Sequence, residues 1–414
     1  MSFEVSGPGD QDWRVPVSEL LVRRERLADA LLDENIESVM IEDPVGLYWL
    51  TGGRQNGMLI VGATDSGVET THWVRKSLSR ARWESGGSDA PNVISSQPRS
   101  SEIELELRKI GVSEMPGMAC DTLPSARRDF LSARLSGFCN PIANISRIMH
   151  GLRETKTEWE VSMIQESGAI NERMFNRVLE EGGRGMSELE IASIAESVSR
   201  EDGFGGRIMM RRWPMDCDRA VVVSGRSGGI PSFFDSAVGG SGSSPNAPLG
   251  AGHKKIVDGE PVLVDVVHVH RGYVSDCTRM FSSGSMGNEW DQRLDDMVQV
   301  SNGLVSILGR GGTCAEAWAE GKALSNELGY KDNLMGIPPN QARFLGHSVG
   351  LELDESPVLA SGFDQPMHAG CTMAIEPKAV FDDGAIGIED TWVATKNGLS
   401  CLTGGSRLPY HMEW

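Results

Sequence analysis

The chain of 414 residues is predicted to fold as an α/β N-terminal domain followed by an α+β domain. Its length exceeds what one hydrophobic core usually serves, so two domains are expected. The first part alternates helical and strand-like apolar patterns. Near residue 152 this gives way to long capped helices and two strand–turn–strand segments. Apolar content of 39% and charged content of 23% are those of an ordinary globular protein, so both parts should pack a core. The boundaries read from these patterns are residues 1–152 and 153–414.

From Val17 to Asn35 apolar residues recur at helical spacing, and IESVMIED after them reads as a strand leading to a turn at Pro44. Leu47 to Val61, broken by Gly52, Gly53 and Gly57, reads as further strands of the same sheet. Gly86 to Arg99 is rich in glycine, serine and proline and reads as a loop. In the second domain Thr157 with Glu160 makes a capping box for a long helix, with Val161, Ile164, Gly168, Phe175 and Val178 at helical spacing along one face. Ser187 with Glu190 repeats the device for a helix expected to bury Leu189, Ala192, Ala195 and Val198. The glycine- and serine-rich run from Gly225 to Gly250 is read as an active-site loop, with the nearby Trp213, Phe233 and Phe234 expected to pack.

Charge and composition exclude several classes of function. A net charge of −19 argues against nucleic acid and anionic lipid, both of which need basic patches, and favours small substrates. Seven cysteines, none in a CxxC pair, are expected to be reduced thiols. The opening MSFEVSGPGDQDW is not a secretory signal, and no run of 18 apolar residues suggests a membrane span, so a cytoplasmic site is expected.

Two candidate hairpins carry carboxylates. In PVLVDVVHVHRGYVSDCTRMF a turn at His270-Arg271 would set Asp265 opposite Asp276. In TMAIEPKAVFDDGAIGIEDTWVAT a turn at Asp382-Asp383 would set Glu376 opposite Glu389. Facing carboxylates among aliphatic neighbours are costly unless cations neutralise them, and two divalent ions would balance the four. His347, flanked by Gly346 and Gly350, adds an imidazole, a donor set that suits Mn²⁺, Co²⁺, Fe²⁺ or Zn²⁺. By strand alternation His268, His270 and Cys277 point away from this face.

The ordered set Asp265, Asp276, His347, Glu376 and Glu389, within VDV, GYVSDCTR, GHSVGLELDE, AIEP and GIEDT, resembles the pita-bread metallopeptidase family of methionine aminopeptidase, Xaa-Pro aminopeptidase and prolidase. The preceding domain, with LYWLTGG, is similar to the N-terminal domain of the creatinase, prolidase and aminopeptidase P branch. The resemblance implies a creatinase/aminopeptidase fold and two metal ions bridged by Asp276 and Glu389, with Asp265 completing one ion and His347 and Glu376 the other. It implies that a metal-bridging water attacks an amide carbonyl, that Glu376 shuttles the proton, and that the chain forms a homodimer.

Three positions depart from the family pattern. Asp354 stands where a histidine is expected, His253 is displaced from the usual place of an upstream histidine, and Gly387 stands where an arginine often precedes the final glutamate. Asp354 is therefore a candidate substrate-binding residue, and a cationic group its expected partner. The leading expectation is hydrolysis of a small Xaa-Pro peptide. The alternatives are an enzyme acting on a compact solute, as in creatinase, ectoine hydrolase or dimethylsulfoniopropionate lyase, and a non-catalytic binding module.

Overall fold

The computed structural model describes residues 7, 10–64, 67–112, 116–138, 142–212, 215 and 217–414. The chain divides into two compact units, Met1–Arg153 and Glu154–Trp414. The first opens with α1 (Val17–Asp33), which buries Leu20, Leu27 and Leu31 along one face, followed by β1 (Ser38–Ile41). The segment around Leu47 is a helix, α2 (Pro44–Thr51), where strand had been expected. Its boundaries explain this: the Asp43 carboxylate accepts the Gly46 amide, Pro44 occupies the first turn, and Gly52 closes the helix at φ 74°. After β2 (Gly57–Thr64), β3 (Gly67–Val74) and α3 (Leu78–Glu84), the expected loop from Gly86 to Arg99 proves to contain β4 (Val93–Ser96), which pairs in parallel with β3. Then come α4 (Ile103–Lys109), β5 (Gly117–Met118), α5 (Ser125–Leu135), β6 (Ala143–Asn144) and α6 (Ser146–Glu154). The six strands form one sheet in the order β4-β3-β2-β1-β5-β6.

The second unit begins with α7 (Glu158–Glu181) and α8 (Glu188–Glu201), each opened by the expected capping box. They pack on a four-stranded sheet of β7 (Ala220–Ser224), β8 (Val262–His270), β9 (Tyr273–Ser282) and, from the end of the chain, β17 (His411–Glu413). Strand alternation divides the core. Val222, Val264, Val266 and Cys277 join Phe175, Val178, Ile191 and Ala195 of the two helices. Val221, Val223 and Leu263 join the other cluster, built with α9 (Asn288–Gly309) and α10 (Cys314–Glu327). A five-stranded antiparallel sheet holds β10 (Phe344–Ser348), β11 (Glu355–Ala360), β12 (Thr372–Ile375), β15 (Asp390–Thr395) and β16 (Gly398–Cys401). Between β12 and β15 in sequence lies the ribbon of β13 (Lys378–Phe381) and β14 (Gly384–Gly387).

The β8–β9 hairpin turns one residue later than expected, at Arg271-Gly272, and pairs His270 with Tyr273. Both central residues take positive φ, 50° and 92°, as a tight hairpin turn following the strand twist requires, and glycine fits the second place. Asp265 therefore faces Thr278, and Asp276 faces Val267. The two aspartates are diagonal neighbours on one face instead of directly opposed. The second hairpin keeps its expected register, with Asp382-Asp383 between Phe381 and Gly384. Its strands are broken at the glutamates, yet Ile375 pairs with Asp390 and Lys378 with Gly387, so one register runs through the gap. Glu376 and Glu389 face each other there. Among the described residues no helix is long and apolar enough to cross a membrane.

Candidate metal centre

An antiparallel bridge between Thr278 and Glu389 brings the two hairpins together, with the Thr278 amide donating to the Glu389 carbonyl (3.2 Å) and the Glu389 amide to the Thr278 carbonyl (3.3 Å). The Thr278 hydroxyl adds a bond to Glu389 Oε2 (2.9 Å). Fully buried Arg279 donates to the Glu389 carbonyl (2.9 Å) and to both oxygens of Asp390 (2.8 and 3.1 Å), which fixes the backbone at the last glutamate. The Thr391 hydroxyl donates to the Asp276 carbonyl (2.9 Å) and accepts the Asp276 amide (3.1 Å).

His347 arrives from β10, which lies between β11 and β12. Gly346 lets the strands approach: a Cβ there would lie 2.2 Å from the Ala374 carbonyl oxygen. Beyond His347, a buried pair between Lys156 and Glu355 (3.1 Å) fixes the following loop, since Lys156 also donates to the Ser348 hydroxyl (3.0 Å) and Glu355 accepts the Leu351 amide (2.9 Å). The imidazole Nδ1 lies 3.4 Å from the Ser348 carbonyl. That contact suits a proton on Nδ1, and Nε2 faces Glu376 (3.4 Å) and Asp276 (3.8 Å).

All five expected ligands thus line one cavity of about 200 Å³. A sixth group, which the sequence reading missed, sits among them: the Lys378 ammonium is 2.7 Å from Glu376 Oε2, 2.9 Å from Glu389 Oε2 and 3.6 Å from Asp265 Oδ2. Strand alternation puts residue 378 on the same face as Glu376, which is the signal that could have found it. Burial, with the carboxylates of Glu389 and Asp265, pushes Asp276 well above the ordinary range. Burial likewise lifts Glu389 to about 8, with Glu376 and Asp265 adding to the rise against the pull of Lys378. Glu376 falls to about 2, because Lys378 and His347 outweigh its burial. Its own burial opposes protonation of His347, but Glu376 and Glu389 raise it to about 9.

The donor chemistry fits a divalent ion at one place. Among the described residues Asp276 Oδ1 and Glu389 Oε1 are buried without a hydrogen-bond partner. One donor atom from each of Asp276, His347 and Glu389 lies within 4.8 Å of the others. Two carboxylates and an imidazole are a suitable first shell for a transition ion. The fit is poor for a second ion on Asp265, Glu376 and Glu389 Oε2, where the ammonium stands.

The rest of the cavity comes from strand residues, among them Val221, Val267, Phe344 and Val358, and from loops. Phe234, Asp235, Ser236, Val238 and Leu249 of the glycine-rich run line it, as expected for an active-site loop. Buried Glu188 ties the two ends of that run together, accepting the Ser224 amide (2.8 Å) and the Gly252 amide (3.0 Å). Asp354 also lines the cavity, with its oxygens accepting the amides of Arg211 (2.6 Å) and Arg212 (2.9 Å), so it holds a loop of the cavity wall. Phe233 is exposed, not packed in the core, and Trp213 lies outside the described residues. His268 and Cys277 point away from the cluster, as expected: the His268 ring meets the Ser199 hydroxyl (2.8 Å), and Cys277 lies in the core beneath α7 and α8.

The model of metallopeptidase family M24 matches residues 162–396. An Xaa-Pro dipeptidase of Pyrococcus furiosus is 22% identical over 384 residues, which span 92% of this chain and 97% of that protein. Two solved structures share the fold. The X-Pro aminopeptidase of Thermotoga maritima MSB8 superposes with a TM-score of 0.75 at 19% identity, covering 94% of this chain and 99% of that one. The Xaa-Pro dipeptidase of Bacillus anthracis does so at 0.76 and 21%, covering 95% and 100%. The α/β unit followed by a pita-bread unit, the carboxylate–histidine cluster and the matched span agree: the chain belongs to metallopeptidase family M24.

Proposed function

We propose that the chain hydrolyses the amide bond of a small Xaa-Pro peptide with a divalent ion, Mn²⁺, Co²⁺, Fe²⁺ or Zn²⁺, held by Asp276, His347 and Glu389. The observation that carries the reading is the opening of this donor cluster onto a cavity walled by apolar side chains of Phe234, Phe344 and Leu353. An ion bound there supplies a Lewis acid that polarises a carbonyl and acidifies water. Glu376, kept ionised by Lys378, is placed to take a proton from the attacking water and return it to the departing nitrogen. As water adds to the carbonyl carbon and the C–N bond breaks, that proton completes the amine. Phe234, Phe344, Leu353 and Phe363 supply apolar wall that suits a proline ring. The number of ions turns on Lys378, because the two expected from the four carboxylates compete with its ammonium.

Support for a peptide substrate comes from the likeness to the protein named Xaa-Pro dipeptidase. Asp354 in place of the expected histidine favours a second reading, a compact non-peptide solute, because an ionised carboxylate cannot donate to a developing oxyanion. A screen of the metal-loaded chain against Xaa-Pro dipeptides, longer Xaa-Pro peptides and compact zwitterionic solutes separates the two. Turnover of Xaa-Pro dipeptides, abolished by chelation and restored by Mn²⁺ or Co²⁺, is the expected result. Turnover of a solute alone would replace it with the second reading. A homodimer acting in the cytoplasm is the further proposal, which sedimentation velocity and cell fractionation test.

A further inference from the structure

Lys378 has no other place to go. Its backbone is fixed in β13, where its carbonyl accepts the Met335 amide (2.8 Å), and its side chain is only 3% exposed. Across the ladder stands Gly387, and a Cβ there would lie 2.6 Å from Lys378 Cγ, so the lysine stem lies over the space a side chain at 387 would fill. The stem ends among three carboxylates, at 2.7 Å from Glu376, 2.9 Å from Glu389 and 3.6 Å from Asp265, and an ammonium has three protons to offer them. Asp276 Oδ1 and Glu389 Oε1 are left without partners, and one donor atom of each of these residues lies within 4.8 Å of one on His347.

Resting on the reading of this site as a metal centre, we propose that the Lys378 ammonium is a built-in second cation: the site takes one divalent ion, on Asp276, His347 and Glu389, and the ammonium fills the place between Asp265, Glu376 and Glu389. Charge agrees with space. Four carboxylates against one ammonium and one divalent ion leave a single negative charge, to be balanced by substrate or protons. A second ion beside the ammonium would reverse the sign inside a buried cluster, which is costly without a compensating anion. Asp265 is then the ammonium's partner and no ligand of the ion. The lysine also cannot dissociate, so its single positive charge stays in the site after chelation.

The test is metal stoichiometry of the full chain. Wild type is titrated with Co²⁺ by calorimetry and the bound ion counted by elemental analysis after gel filtration. One Co²⁺ per chain is expected, rising to two in Lys378→Ala, where the vacated carboxylates accept the second ion. A single ion in Lys378→Ala, or two in wild type, overturns the role of the lysine while leaving the metal centre standing. Wild type that takes up no Co²⁺ removes the metal-centre reading and this inference with it. Should Lys378→Ala fail to fold, wild type loaded with Mn²⁺ decides alone by electron paramagnetic resonance. An uncoupled six-line signal supports the single ion, and a spin-coupled signal from two neighbouring ions overturns it.

Discussion

Replacing Arg279 with methionine removes four hydrogen bonds at once, two to the Asp390 carboxylate and two to the carbonyls of Thr278 and Glu389. The carbonyls keep partners, because the amides of Glu389 and Thr278 still donate to them across the bridge. The Asp390 carboxylate fares worse. Its Oδ1 retains the Thr403 hydroxyl (2.7 Å) and the Gly405 amide (3.1 Å), whereas Arg279 is the partner of Oδ2. Breaking a buried ion pair by removing one partner costs about 3–5 kcal/mol, and the remaining donors place this case near 3 kcal/mol. Because Arg279 also fixes the backbone of Glu389, Co²⁺ affinity should fall roughly 10–100-fold, the usual effect of losing a group that orients a ligand. Urea denaturation followed by near-ultraviolet circular dichroism reads the first quantity and calorimetric titration the second. In Arg279→Met with Asp390→Leu part of the stability should return, since no charge is then left buried. A loss below about 1 kcal/mol with unchanged Co²⁺ affinity would refute the reasoning and reduce Arg279 to a space-filling residue.

Asp276→Ala or Glu389→Ala should abolish Co²⁺ retention, and full metal content in either, by elemental analysis, would remove these residues from the ligand set. Asp354→Asn should leave metal content unchanged and raise KM about tenfold, about 1.4 kcal/mol, by freeing one of the two amides that hold the 211–212 loop; an unchanged KM would mean that this loop does not meet substrate. His72 and His268 are buried as neutral rings, with burial lowering them to about 4 and about 3 from 6.5. The unfolded chain takes up these protons first as the pH falls below 6.5, so stability is full above that value and declines below it, by about 2 kcal/mol per histidine at pH 5. His268→Gln should flatten the dependence of the urea midpoint between pH 7 and pH 5, and an unaltered slope would count against the assignment.

The features legible in the sequence are those that local chemistry specifies. Thr157 with Glu160 and Ser187 with Glu190 mark helix starts because each pair satisfies the same backbone groups. The Asp382-Asp383 turn fixes its register and sets Glu376 across from Glu389. The β8–β9 turn falls one residue later than the pattern of apolar residues suggests because both of its central positions need positive φ, which Gly272 supplies and a turn at His270-Arg271 would not. The Leu47 segment was misread because its apolar run suits either element, and only its two ends decide for helix. What could not be read from linear order was how the two hairpins dock: the bridge from Thr278 to Glu389 spans more than a hundred residues and is set by tertiary packing.

The crossed placement of Lys378 and Gly387 also constrains how this site can change by mutation. Any side chain introduced at 387 collides first with the lysine stem and with the Pro377 carbonyl, 2.7 Å from the new Cβ. A bulky basic residue there therefore needs position 378 to have shrunk and the 377–378 backbone to shift, because the contacts with the Pro377 carbonyl and the Lys378 Cα (2.8 Å) remain after the side chain is shortened. Shortening 378 first leaves the carboxylates to find another cation. The two positions form an epistatic pair with a preferred order, and directed evolution toward an arginine at 387 should recover the change at 378 in the same clones.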